Sequence, residues 1–279
     1  MKKFSVGTVG RFFLKSILSL ASVRLRRVIA ELNDANAFIE TTQTTRGAIN
    51  FNCPDALPLW RARTLLTKEP ETIEWIDSFS DGDVYWDVGA NVGAYALYAA
   101  INRRVQVLAF EPSAANYFLL NRNIELNRLG EVLRAYCLAF SDTRQIDVLH
   151  MQSTEFGGAL SSFSTPVDND GKMFSAKFQQ GMVGFSIDDF VQLFNPPFPN
   201  HLKIDVDGIE DRIIMGAPAT LADSRLKSVS IELDSARPDY TDSVVGLIEA
   251  GGLRLSAKRH AEIFDNGIYR NIYNYQFRR

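Results

Sequence analysis

At 279 residues, 46% apolar and 23% charged, the chain carries enough hydrophobic material to bury a sizeable core, which excludes a disordered segment or a disulfide-stapled miniprotein. Lys and Arg total 30 against 33 Asp and Glu, yet residues 1–30 hold Lys2, Lys3, Arg11, Lys15, Arg24, Arg26 and Arg27 and no acid, so the remainder is acidic and lacks a nucleic-acid binder's footprint. Cys53 and Cys137 stand far apart and outside any C-x-x-C pair, which excludes a disulfide framework or zinc spacing and fits a reducing cytoplasm.

Leu14, Leu18, Ala21, Leu25 and Val28 recur at helical spacing while Lys15, Ser19, Ser22 and Arg26 follow on another face, predicting a basic amphipathic helix within residues 1–35. Its charges leave the apolar run short of the ~20 residues of a membrane span. The arginines also stand where a secretory cleavage site would lie. Such a helix docks on the protein's own body or a partner, or lies on an anionic membrane surface, here the inner face.

Residues 36–80 read as a lead-in: a strand at 47–51, a helical patch around 60–66, and a helix from Pro70 to about Phe79, opened by a proline whose missing N–H would be unpaired anyway. Over residues 81–279, apolar β-rich runs alternate with helical patterns: strand 84–88, helix 92–102, strand 105–110, helix 114–127, strand 132–140. After a polar stretch at 152–172 come strands 202–206 and 229–233, a helix near 241–250, strand 253–257 and an aromatic run, 268–277, that closes the sheet. This rhythm predicts a doubly wound α/β domain with a parallel sheet.

The first strand ends in Asp87-Val88-Gly89-Ala90-Asn91-Val92-Gly93. Gly89 lets the backbone turn where a side chain would obstruct a ligand, Gly93 lets the helix start lie close to the strand, and a ligand is expected on exposed backbone N–H groups. Glu111, 24 positions beyond Asp87 and at the end of the next strand, suits a carboxylate that accepts from both ribose hydroxyls. An acid facing the turn disfavours a pyrophosphate and suits the amino group and sulfonium of S-adenosylmethionine. Asp87, Gly89, Asn91, Gly93 and Glu111 are therefore the expected cofactor set, a plain tight turn being the alternative. Ser141 and Asp142, ending the strand after that, are expected to receive the adenine amino group, or else to open a hairpin.

Leu202-Lys203-Ile204-Asp205-Val206-Asp207-Gly208-Ile209-Glu210 repeats the design. Asp205 is expected in the cleft, while Asp207 either faces ligand or caps the following helix.

Together with 67–72 (TKEPET), Phe110-Glu111-Pro112 and 201–217, these segments resemble the FkbM family of methyltransferases, over about residues 47–277. The resemblance implies a Rossmann-like class I methyltransferase fold, a seven-stranded mostly parallel sheet with an antiparallel last strand. It also implies S-adenosylmethionine-dependent methyl transfer to a hydroxyl of a sugar, glycolipid or related secondary metabolite. Asp207 stands where many relatives have glutamate.

Such chemistry needs an in-line acceptor oxygen and a place for its proton. The candidate bases are Asp205, Glu210, Glu232 and His260, the last alternatively a surface-loop histidine. Asp205, Asp207 and Glu210 could ligate a hard cation, but no metal is expected. The 155–185 segment, with Gly157, Gly158, Ser161 and Ser162, is expected to shape the pocket for a small-molecule or glycan acceptor, unless it is simply a loop. The competing functions are an NAD-dependent oxidoreductase and a non-catalytic membrane-surface binding protein.

Overall fold

The computed structural model describes residues 38–168, 170–267 and 269–279; the basic helix expected within residues 1–35 lies outside them. A hairpin, β1 (Ile39–Gln43) and β2 (Ala48–Asn52), leads into α1 (Ala56–Thr64) and α2 (Pro70–Asp77). Asp55 caps α1 through the Ala56 N–H, and Pro70 begins α2. Alternation follows: β3 (Val84–Val88), α3 (Ala94–Arg103), β4 (Gln106–Phe110), α4 (Ala114–Leu126) and β5 (Leu133–Tyr136).

The stretch expected as one strand to Phe140 is two. After Tyr136 the chain leaves the main sheet, and β6 (Ala139–Phe140) joins a second one with β7 (Gln145–Met151), β8 (Ser161–Phe163) and β9 (Phe178–Phe185), in the order β6-β9-β7-β8. Local preference gives little notice of β9, whose Gln179, Gln180, Gly181 and Gly184 are weak strand formers. Its antiparallel pairing with β7 from Gln145↔Gly184 to Met151↔Phe178 supplies the order instead.

Then come α5 (Ile187–Phe194), β10 (His201–Ile204), α6 (Glu210–Met215), α7 (Pro218–Ala222), β11 (Ser228–Asp234), α8 (Pro238–Ala250), β12 (Arg254–Arg259) and β13 (Ile272–Arg278). Among the described residues seven strands form the main sheet, ordered β12-β13-β11-β10-β3-β4-β5, and β13 runs antiparallel to both neighbours. This is the Rossmann-like arrangement with an antiparallel last strand. It places β10 directly beside β3, so two loops face one another at the carboxyl ends. No helix among the described residues is long and apolar enough to cross a membrane.

The two faces of the sheet differ. One buries Trp86, Phe110, Leu202, Ile204, Val229 and Ile231 against α5, α6 and α8, each such side chain contributing roughly 1.5–3 kcal/mol. The other packs Tyr85, Val107 and Ala109 against Trp75 and Ile76 of α2 and Leu97 of α3, and takes in Ile49 and Phe51 from β2.

At the amino edge of that second face, His201 stacks on Phe79 at 3.7 Å. Its Nδ1 lies 2.7 Å from Ser228 Oγ and its Nε2 2.9 Å from Asp83 Oδ2, while Trp75 Nε1 donates to the same serine oxygen at 3.0 Å. The serine hydroxyl therefore donates to Nδ1, and Nε2–H donates to Asp83, which fixes a neutral ring. Burial lowers the His201 pKa to about 4 despite the pull of Asp83. Between pH 6.5 and 4 the unfolded chain thus takes up a proton that the folded chain refuses. The stability advantage of the wild type over His201→Asn should be full above pH 6.5 and shrink by about 2 kcal/mol on going to pH 5, read from urea melts at both pH values; a pH-independent difference would refute the neutral assignment.

Candidate active site

Strand alternation carries polar side chains into the second face of the sheet. His201, Lys203 and Asp205 alternate with Leu202 and Ile204, and Ser228, Ser230 and Glu232 alternate with Val229 and Ile231. In register, Lys203 sits opposite both Asp87 and Ser230, and Glu232 opposite Asn274. The resulting polar rows run under α2, whose Glu71 accepts from Asn274 at 2.9 Å. They end at the carboxyl edge in a cavity of about 480 Å³, a size that admits a cofactor and part of an acceptor.

The glycine turn forms one wall. Gly89 (φ +85°) has no room for a side chain, because a Cβ there would fall 1.8 Å from the Asp205 carbonyl oxygen. Gly93 is also left-handed and begins α3. The turn's amides are not free, contrary to the expectation of an exposed N–H cradle. Gly89 and Ala90 both donate to the Phe110 carbonyl, Asn91 to Glu111 Oε2 at 2.8 Å, Val92 to the Asn91 side chain, and Gly93 to Ala90. What the turn offers is space and two carboxylates. Asp87 is 1% exposed, and its buried Oδ2 makes no well-formed hydrogen bond, although the Tyr85 hydroxyl close by favours the ionised carboxylate. Burial pushes it up to about 6, with Lys203 opposing and Asp205 adding. Glu111 also accepts from the Ser113 N–H at 2.9 Å, and burial still raises it to about 7. Asn91 lines the cavity, but its side-chain amide is committed to the Gly158 carbonyl at 2.9 Å.

Asp205 and Glu232 meet in the cavity as neighbours. One carboxylate oxygen from each, and one from Glu69 at the start of α2, lie within 4.8 Å of one another. Asp205 is paired with Lys203 at 2.6 Å and Glu69 with Lys68 at 2.6 Å. No described residue hydrogen-bonds the Glu232 side chain, and its pKa is held well above the usual carboxylate range, by burial first and by Asp205 and Glu69 next. Three such oxygens could hold a hard cation, but two ammonium groups already stand against them. Of the ligand set weighed from sequence, Asp205, Asp207 and Glu210, only Asp205 belongs to this cluster.

His260 reaches the rim of the cavity. Its ring stacks on Tyr273 at 4.1 Å, and both nitrogens are engaged, with Asp265 at 3.0 Å and the Ile272 carbonyl at 3.2 Å. That engagement leaves it no free nitrogen for an acceptor proton.

Three expected residues lie elsewhere. Glu210 does not line the cavity; it turns behind the β10 tip, where it accepts from the Tyr240 hydroxyl and from the Gly208 N–H at 3.1 Å. Ser141 and Asp142 are also outside the cavity lining. Because β6 has crossed to the second sheet, Ser141 donates to Asp142 and Asp142 accepts from Arg212 at 2.8 Å. Pro112, Leu138 and Phe140 line the cavity instead. Asp207 does not cap α6. It adopts φ +65° and accepts from the Leu160 N–H at 2.6 Å, fastening the 153–163 segment over the site. Gly158 and Ser161 of that segment line the cavity.

The sequence reading gave no role to Lys68, Glu69, Tyr95, Lys203, Arg61 or Asn116, all of which line the cavity. Lys203 could have been found: a lysine between Leu202 and Ile204 in a strand buried on both faces requires a charged partner. Lys68 and Glu69 give no such signal, since an adjacent charged pair before Pro70 reads as a solvated helix start.

Residues 87–255 match the family model described as the methyltransferase FkbM domain. The chain is 24% identical over 219 residues to the hexuronic acid methyltransferase AglP of Haloferax volcanii, covering 78% of this chain and 84% of that protein. It is 27% identical over 195 residues to Methyltransferase 1 of Beauveria bassiana, covering 65% and 76%. Among solved structures, P. horikoshii TYW2 in complex with MeSAdo aligns with a TM-score of 0.46 at 8% identity, over 87% of this chain and 70% of that one.

Proposed function

We propose that this chain, which belongs to the methyltransferase FkbM family, transfers a methyl group from S-adenosylmethionine to a hydroxyl of a sugar, glycolipid or related secondary metabolite. The observation that carries the reading is the buried Asp87 Oδ2, without a well-formed hydrogen bond, beside a glycine turn that excludes any side chain, with Glu111 at the neighbouring strand tip. Those residues fit the donor: a buried acid that burial raises to about 6 even with Lys203 opposing gains from a cationic ligand, and Glu111 keeps lone pairs for ribose hydroxyls. When bound, S-adenosylmethionine supplies an electrophilic methyl group. The relative named for hexuronic acid supports a sugar as acceptor.

In this reading, the chain's own residues position the acceptor and manage its proton. Asp205, fixed by Lys203, and Glu69, fixed by Lys68, are oriented acceptors for neighbouring hydroxyls of a polyol. Glu232, with no hydrogen bond to hold its proton elsewhere, takes the proton from the oxygen that is methylated.

Binding of the cationic donor requires Asp87 ionised. Its affinity should therefore rise with pH through about 6, whereas adenosine, which carries no positive charge, should respond only to Glu111. Calorimetry with both ligands from pH 5 to 8 tests this. Asp87→Asn should weaken S-adenosylmethionine about 10- to 100-fold and remove the difference between the two pH profiles. Equal profiles in the wild type, or tight binding of NADH instead, would count against the reading.

A further inference from the structure

Three cations line the cavity from three different elements, and two of them are neutralised where they stand: Lys203 by Asp205 and Lys68 by Glu69. Arg61, in the last turn of α1, is not. It is half-buried, and its Nε donates to the Gly157 carbonyl at 2.8 Å. Its two terminal nitrogens make no hydrogen bond or ion pair with any described residue.

The carbonyl that aims this guanidinium is itself held. The Gly157 N–H donates to Asn116 Oδ1 at 2.8 Å, and the next carbonyl, of Gly158, accepts from both Asn116 Nδ2 and Asn91 Nδ2 at 2.9 Å. One asparagine belongs to the glycine turn and the other to α4, just beyond Glu111. The orientation of Arg61 is thus tied to the elements that shape the donor site. Glu111 and Asp207 are near enough for Arg61 to favour their ionised forms, yet Glu111 directs both oxygens to the backbone amides of Asn91 and Ser113, and Asp207 directs its Oδ2 to that of Leu160. Arg61 thus lines the cavity with its terminal nitrogens unbonded to any described residue.

We infer that Arg61 is a carboxylate-binding residue of the active site, its planar fork taking a ligand carboxylate through two parallel N–H···O bonds. The fork geometry suits a carboxylate or a phosphate alike. Glu111 and Asp207 decide between them, because a dianion beside two acids is repelled more than a monoanion. Two ligands of the proposed reaction can bring a carboxylate: the amino-acid tail of the methyl donor, or an acidic sugar acceptor. The inference rests on the proposed function, which supplies those ligands.

Calorimetry on the full chain can separate the sources, using wild type, Arg61→Lys and Arg61→Gln. The first arm compares S-adenosylhomocysteine with its decarboxylated analogue. The second, with S-adenosylhomocysteine present, compares methyl glucuronide with methyl glucoside. In one arm, Arg61→Gln should weaken the carboxylated ligand about 10- to 100-fold and leave its counterpart without the carboxylate within about twofold. Arg61→Lys, a point charge without the fork, should fall between them, and unchanged melting temperatures would show that the fold is intact. If wild type binds S-adenosylhomocysteine and the members of each pair with and without the carboxylate respond alike to the Arg61 variants, the inference fails alone. Tighter binding of inorganic phosphate than of either carboxylate would also overturn it. If wild type binds no S-adenosylhomocysteine, the proposed function falls and the inference with it.

Discussion

Replacing Glu232 by Gln is expected to lower kcat by roughly 10²- to 10⁴-fold, the range lost with a general base, while S-adenosylhomocysteine affinity stays near the wild-type value. Glu232 is singled out among the cavity acids by what holds its neighbours. Asp205 is pinned to Lys203 and Glu69 to Lys68, so a proton arriving on either would have to displace an ammonium at 2.6 Å. Glu232 has no such competitor. Burial and the nearby Asp205 and Glu69 raise its pKa, and a base with a raised pKa holds an incoming proton more firmly.

The same shift gives the pH profile its sign. Only the ionised form accepts a proton, so kcat at saturating S-adenosylmethionine should climb with pH until Glu232 is fully ionised, and the Gln variant should lose that climbing limb along with its rate. Single-turnover rates of the two proteins across pH measure both quantities. A Gln variant retaining more than half of kcat would reassign the base.

Replacing Lys203 by Met should destabilise the protein by about 3–5 kcal/mol near pH 8, the cost of removing one partner from a buried ion pair. Lys203 is 2% exposed in a central strand. Burial works against its charge, and Asp205, Glu69 and Asp87 outweigh that penalty and hold the ammonium protonated. Without it those acids face one another in the interior. Asp87, already raised to about 6, would lose its opposing cation and rise further, and an acid with a raised pKa loses stability as pH increases through it. The deficit should therefore shrink between pH 8 and pH 5. A second change, Asp205→Asn, should recover part of the loss by removing one of the uncompensated charges. Urea unfolding of the single and double variants at both pH values would settle the matter, and a deficit below about 1 kcal/mol would mean that the pair is solvated rather than buried.

These two sites were unequally legible from the residues alone. The Asp87–Gly93 turn and the Glu111 strand end can be read directly, because a strand running into glycines and then a helix is a local pattern that demands little of the rest of the chain. The polar rows were also written in the sequence, as the alternation of Ser228, Ser230 and Glu232 with apolar residues, and of His201, Lys203 and Asp205 with others. That pattern ordinarily marks a solvated face. Only the lid of α2 makes it a buried one. Glu210 was misplaced for a related reason: its spacing after Asp205 and Asp207 suggested one acidic cluster, whereas the left-handed backbone at Asp207 and Gly208 turns it away from the cavity. Ser141 and Asp142 were misplaced because leaving one sheet for another is decided by β9, some forty residues downstream.

The order of strands and helices, the glycine turn and the acids at its edges were fixed by short-range periodicity and by the few residues that tolerate a tight bend. The tertiary structure alone decided which carboxylates are paired with an ammonium, which has no hydrogen bond, and which guanidinium keeps terminal nitrogens unbonded to any described residue. Charge in a protein interior depends on distances between segments that no local pattern encodes, and at such distances the low dielectric turns a few ångströms into the difference between a structural ion pair and a reactive group.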